Sequence, residues 1–126
     1  VITSFISNVL NGQPPEIYGD GEQTRDFVHV RDVVKANILA AERENAIGEV
    51  FNIGSGTETS VNELCELVLK LMGREDMEPV YGPPREGDIR RSWADISKAR
   101  AVLGYEPEVS LEDGLRELIE VMRASS

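Results

Sequence analysis

The chain has 126 residues, 40% of them hydrophobic and 29% charged, enough for one modest domain with a packed core. A formal charge of −10 opposes binding to nucleic acid or to an anionic membrane surface. No apolar run reaches the roughly 20 residues that cross a bilayer, and no basic n-region opens the chain, whose start Val1-Ile2-Thr3-Ser4-Phe5 lacks an initiator methionine and suggests a piece of a longer polypeptide.

Ile2, Phe5, Ile6, Val9 and Leu10 recur at helical spacing, and Gly12 with Pro14-Pro15 ends that helix. Glu16-Ile17-Tyr18 reads as a short strand stopped by Gly19-Asp20-Gly21, and Phe27 to Val30 as a second. Asp32 is the expected cap of a helix to Arg43, with Val33, Val34, Asn37, Ile38 and Ala41 as its stripe. After Gly48, the run Val50-Phe51-Asn52-Ile53 has the continuous apolar character of a strand covered on both faces. Ser60 and Glu63 form a capping box for a helix to Met72, with Gly73 after it. Cys65 sits among Val61, Leu64, Val68 and Leu69, so a buried, inert thiol is expected. A lone cysteine excludes an internal disulfide and fits a cytoplasmic setting. Pro79-Val80-Tyr81 suggests another strand, followed by the stiff loop Gly82-Pro83-Pro84-Arg85-Glu86-Gly87-Asp88. Asp95 is placed to cap a short helix ending at Gly104, and Ser110 to cap the last one, whose stripe is Leu111, Leu115, Leu118, Ile119 and Met122. The pattern predicts a mixed α/β chain of about five helices and several short strands.

The segment Phe51-Asn52-Ile53-Gly54-Ser55-Gly56 has the start of a dinucleotide-binding turn, but the third position of that fingerprint is Thr59 rather than glycine. An ordinary strand-to-helix turn is therefore expected there. None of Tyr18, Tyr81 and Tyr105 has a lysine four residues on, so the acid/base pair in which lysine lowers a tyrosine's pKa is absent. His29, the single histidine, suits a structural hydrogen-bonded role, and no His/Cys cluster suggests a metal. No catalytic constellation is present. Two arginines on loops remain: Arg25 after the glycine-rich turn, and Arg85 in the Pro/Gly loop beside Asp88. A guanidinium matches phosphate oxygens in a two-pronged fork, and stiff loops lose little entropy on binding. The two could hold a diphosphate with Asp88 on ribose hydroxyls, or form surface pairs, Arg25 with Asp26 or Glu22 and Arg85 with Glu86. Spacing alone leaves both readings open.

The segments "GDGEQTRDFVHVRDVVKANILAA", "FNIGSGTETSVNEL", "PPREGDIRRSWADISKARAVLGYEP" and "SLEDGLRELIEVM" resemble, in order, the C-terminal portion of NAD-dependent nucleotide-sugar epimerases and dehydratases. These are extended short-chain dehydrogenases/reductases, and the "QTRDFVHV" form is nearer the UDP-sugar 4-epimerases than the decarboxylases or the thymidine-diphosphate-sugar dehydratases. The resemblance implies that residues 1–126 are one substrate-binding unit, without the N-terminal Rossmann domain that carries NAD and the catalytic tyrosine. It implies that Arg25 and Arg85 bind the diphosphate, that Asp88 holds the ribose, and that Ile17 and Tyr18 line the uracil pocket. It also implies a UDP-sugar ligand and a chain inactive alone. The run Val50–Ile53 and the stripe of helix 32–43 would be left uncovered, favouring a homodimer or a swapped oligomer. Another nucleotide-sugar modifier on this scaffold, or a non-catalytic binding or interaction module, stays open.

Overall fold

The amphipathic spacing near the start of the chain gives α1 (Ile2–Leu10), which buries Phe5, Ile6 and Val9. The computed structural model describes residues 1–125. β1 (Glu16–Tyr18) pairs in parallel with β4 (Val80–Gly82), setting Ile17 opposite Tyr81. The predicted helix after Ser60 is α3 (Val61–Leu71): Ser60 accepts from the Glu63 amide at 3.0 Å, and Glu63 accepts from the Ser60 amide at 3.2 Å. The last helix is α5 (Leu111–Ala124), capped by Ser110, which accepts from the Asp113 amide at 3.1 Å. Helices α1, α3 and α5 pack around Ile17 in one cluster that includes Phe5, Ile6, Leu64, Val68, Leu115 and Ile119. Cys65 is buried there as expected; burial, aided by the charge of Glu66, pushes its thiol up to about 11.

A second cluster joins α2 (Val30–Glu42) to α4 (Ser97–Leu103) through Ala36, Ala46, Ile96, Ala99, Leu103 and Tyr105. Polar ties reinforce it. Asp32 is buried and accepts from the amides of Glu108 and Val109 at 3.0 and 3.1 Å, and the Tyr105 hydroxyl donates to the Gly54 carbonyl at 2.8 Å.

Five local expectations are corrected. Phe27–Val30 is not a strand. The strand in this stretch is β2 (Thr24–Arg25), antiparallel to β3 (Thr59–Ser60), and Val30 already opens α2. The reason is a side-chain cap: His29 accepts from the Arg31 amide at 2.9 Å and so starts the helix ahead of Asp32, whose carboxylate is committed to the 108–109 amides. The predicted stripe of this helix is largely turned outward, because the packing surface is Asp32 and Ala36 rather than Val34 and Ile38. The run 50–53 finds no ladder partner among the described residues, although Phe51 and Ile53 still pack on the second cluster. At α4, Asp95 accepts from the Ser97 amide and hydroxyl at 3.0 and 2.5 Å, while Ile96 takes the N-cap position.

Candidate functional site

Parallel pairing sends the chain out of β1 and β4 at the same end, so the turn 19–23 and the loop 83–88 rise side by side. The turn is held from below by Asn62 on the first turn of α3. Its amide donates to the Gly21 carbonyl at 2.9 Å, and its side-chain nitrogen donates to the Asp20 carbonyl and the Glu22 carboxylate at 3.0 and 2.7 Å. Gly21 has φ +76°, and a Cβ there would lie 2.0 Å from the Asn62 side-chain oxygen, so only glycine fits this turn. On its outer side Asp20 receives both prongs of Arg90, at 2.8 and 2.9 Å. Those bonds, with the Glu22 amide, pull its carboxyl down to about 2.

Between the two loops lies a cleft of about 220 Å³ whose walls include Ile17, Tyr18, Gln23, Arg25, Arg85 and Asp88. All five residues singled out in the sequence thus line one cavity. A shallower hollow of about 470 Å³ adjoins it, sharing Tyr18, Gln23, Arg85 and Asp88. Arg25 forms an ion pair with Asp88 across 63 positions of sequence, and its other terminal nitrogen donates to the carbonyls of Thr24 and Ile89, each at 2.6 Å. The guanidinium of Arg85 lies 4.4 Å from the centre of the Tyr18 ring, a cation–π arrangement. The surface pairs with Asp26, Glu22 and Glu86 that spacing had left open are not made.

Sequence reasoning missed two supporting residues. Gln23 is nearly buried and donates to the Tyr18 carbonyl at 3.0 Å, fixing the strand that carries the ring. Asp26 accepts from the amides of Ser55, Gly56 and Ala94 at 2.9, 3.0 and 3.0 Å, and from the Ser55 hydroxyl at 2.5 Å. Burial alone raises its carboxyl, but these bonds, the Ser55 hydroxyl foremost, outweigh it and hold the pKa below the usual value. No periodicity marks either residue; the only signal was a polar side chain flanking the arginine.

The same contacts decide the glycine turn 54–56. Its amide donors are spent on the internal Asp26 carboxylate, and a Cβ at Gly54 would come within 2.6 Å of that carboxylate and 2.8 Å of Ala94. With the Ser55 and Gly56 amides taken by an internal carboxylate, and that negative charge seated in the turn, these residues do not fit the phosphate of NAD. His29 takes the structural role expected of it, with its other ring nitrogen 3.5 Å from Glu117. Among the described residues no His/Cys/Asp/Glu group could hold a metal, and no helix is long and apolar enough to cross a membrane.

The fold matches known proteins. The family model for GDP-mannose 4,6 dehydratase matches residues 1–118. The chain is 42% identical over 126 residues to the UDP-glucose 4-epimerase of Mycolicibacterium smegmatis, covering 100% of this chain and 40% of that protein. It superposes on the UDP-glucose 4-epimerase of Thermotoga maritima crystallised with UDP-glucose, with a TM-score of 0.90 at 48% identity over 98% of this chain and 39% of that one. For the UDP-glucuronic acid 4-epimerase of Bacillus cereus in complex with UDP-glucuronic acid and NAD, the TM-score is 0.91 at 34% identity, covering 99% and 40%. The chain belongs to this family of NAD-dependent nucleotide-sugar epimerases and dehydratases. It spans about 40% of the length of the relatives it matches, and its fold is that of their C-terminal portion.

Proposed function

We propose that this chain is the nucleotide-sugar-binding part of a UDP-sugar 4-epimerase. The observation that carries the reading is the convergence of Tyr18 and Arg25, from one segment, and Arg85 and Asp88, from another far away in sequence, on one cleft. Arg25 and Arg85 take the diphosphate oxygens, Asp88 accepts from ribose hydroxyls, and Ile17 with Tyr18 lines the base pocket. The relatives' complexes with UDP-glucose and UDP-glucuronic acid support that ligand class.

In the whole enzyme NAD supplies the hydride chemistry at the sugar. The chain described here contributes binding and orientation to that chemistry. NAD and the catalytic acid/base groups belong to a Rossmann part outside these residues, and the outward face of α2 packs against that part or, in its absence, against a second copy. Incubated alone with NAD, the chain does not interconvert UDP-glucose and UDP-galactose; turnover by the purified chain would disprove that.

The binding site is tested by titrating UDP calorimetrically into the wild type and the Arg25→Ala and Arg85→Ala variants. Each arginine contributes a charge-assisted bond of about 1.5–3 kcal/mol, so each variant is expected to bind at least roughly tenfold more weakly. Unchanged affinity in both would return the arginines to a purely structural role.

A further inference from the structure

Both cations of the cleft are engaged inside the protein. Arg85 lies on Tyr18, and Arg25 is divided between two kinds of partner. One terminal nitrogen is anchored by the backbone carbonyls of Thr24 and Ile89, whereas the other, among the described residues, meets only the Asp88 carboxylate. The first set of bonds keeps the guanidinium in place while the second can change hands. The side chains of the pair are 30% and 31% exposed, so water and a ligand reach both.

We propose that Asp88 is a built-in competitor for Arg25, and that this competition makes the cleft select nucleoside diphosphates over inorganic diphosphate. The proposal rests on the reading of Arg25 and Asp88 as parts of one nucleotide clamp. An inorganic diphosphate that takes Arg25 leaves the displaced carboxylate unpaired beside a second anion, which is unfavourable. A nucleotide brings ribose hydroxyls, donors that the displaced carboxylate accepts. The same acid therefore repels one ligand and holds the other, and specificity arises from the repulsive half as much as from the attractive one.

Calorimetric titrations of inorganic pyrophosphate and UDP into the wild type, Asp88→Asn, Asp88→Ala and Arg25→Ala test this, with circular dichroism confirming that each variant is folded. An exposed ion pair is worth about a two- to fivefold change in an equilibrium constant. Pyrophosphate binding is therefore expected to tighten by at least that factor in both Asp88 variants, while UDP binding stays level or weakens. If pyrophosphate binds no better in either variant, and Arg25→Ala still loses UDP, the competitor role is wrong and the clamp stands. If Arg25→Ala leaves UDP binding unchanged, or the wild type binds neither ligand, the clamp falls and the competitor role with it. Should the Asp88 variants fail to fold, the wild type decides the matter with 2′,3′-dideoxy-UDP. Lacking the hydroxyls, it is expected to bind distinctly more weakly than UDP, and equal affinity would overturn the proposal.

Discussion

The two halves of the molecule are held by different means. Helices α1, α3 and α5 meet through large side chains, Phe5, Ile6, Leu64, Val68, Leu115 and Ile119, and their cohesion comes from apolar volume. Helices α2 and α4 meet through the small Ala36, Ala46 and Ala99 together with Ile96, Leu103 and Tyr105, with polar ties from Asp32 and the Tyr105 hydroxyl, while Asp26 fastens the neighbouring turn 54–56 to Ala94. Three large apolar residues of α2, however, point the other way. Val30, Val34 and Ile38 follow one another at steps of four on the outer face of α2, 67%, 49% and 53% exposed, with Ile47 and Val50 more exposed still. One half turns its large side chains mainly inward. The other combines a packed inner cluster and hydrogen bonds with a row of apolar residues turned outward.

That contrast is open to attack by substitution. The largest effect is expected at Phe5, fully buried in the first cluster, where Phe5→Ala should cost about 3–5 kcal/mol in chemical denaturation. A cost below 1 kcal/mol would mean that the three-helix cluster is not the stabilising half. Asp26→Ala comes next, at about 2–3 kcal/mol, since it strands donors in the turn 54–56 and at Ala94. Asp26 also predicts a pH dependence. Its carboxyl is depressed in the folded state, so its contribution is present above the ordinary aspartate value of about 4 and is lost as pH falls through the depressed one. The wild type should therefore lose its stability advantage over Asp26→Ala on acidification, and a gap that widens towards low pH would refute the assignment. The smallest effect on folding is expected on the outer face. Val34→Ser with Ile38→Ser should change stability by no more than about 0.5 kcal/mol per site while reducing self-association in light scattering. A marked loss of stability in the monomer would show that this face is inner packing.

The difference between the halves also explains what could be read in advance. The first cluster was legible because a buried stripe of large residues at helical spacing leaves a periodic trace, and the caps Ser60 and Ser110 carry a local signature. The second misled because periodicity reports where apolar residues lie, not which face meets this chain. In α2 the alanine and the aspartate are inside and the valines outside. His29 was assigned to a strand because its neighbours are apolar, and its service as a cap depends on the backbone turning there. At the cleft, loop position and chemistry singled out Arg25, Arg85 and Asp88 without deciding between a clamp and surface pairs, resemblance added Ile17 and Tyr18, and the structure gathers all five in one cavity. Their resting partnerships, carboxylate to guanidinium and guanidinium to ring, were not legible, because each links loops joined only by tertiary structure.

The parallel ladder between β1 and β4 has a consequence in time. Its register, Glu16 with Val80 through Tyr18 with Gly82, closes only after the chain between has returned to its starting edge. That excursion carries α2 and α3, so its closure entropy falls due before the ladder contributes anything. The two walls of the cleft meet only when this ladder forms. The nucleotide binding proposed for the cleft is therefore acquired only with this closing step, and on that proposal a nucleotide present during refolding favours it by mass action.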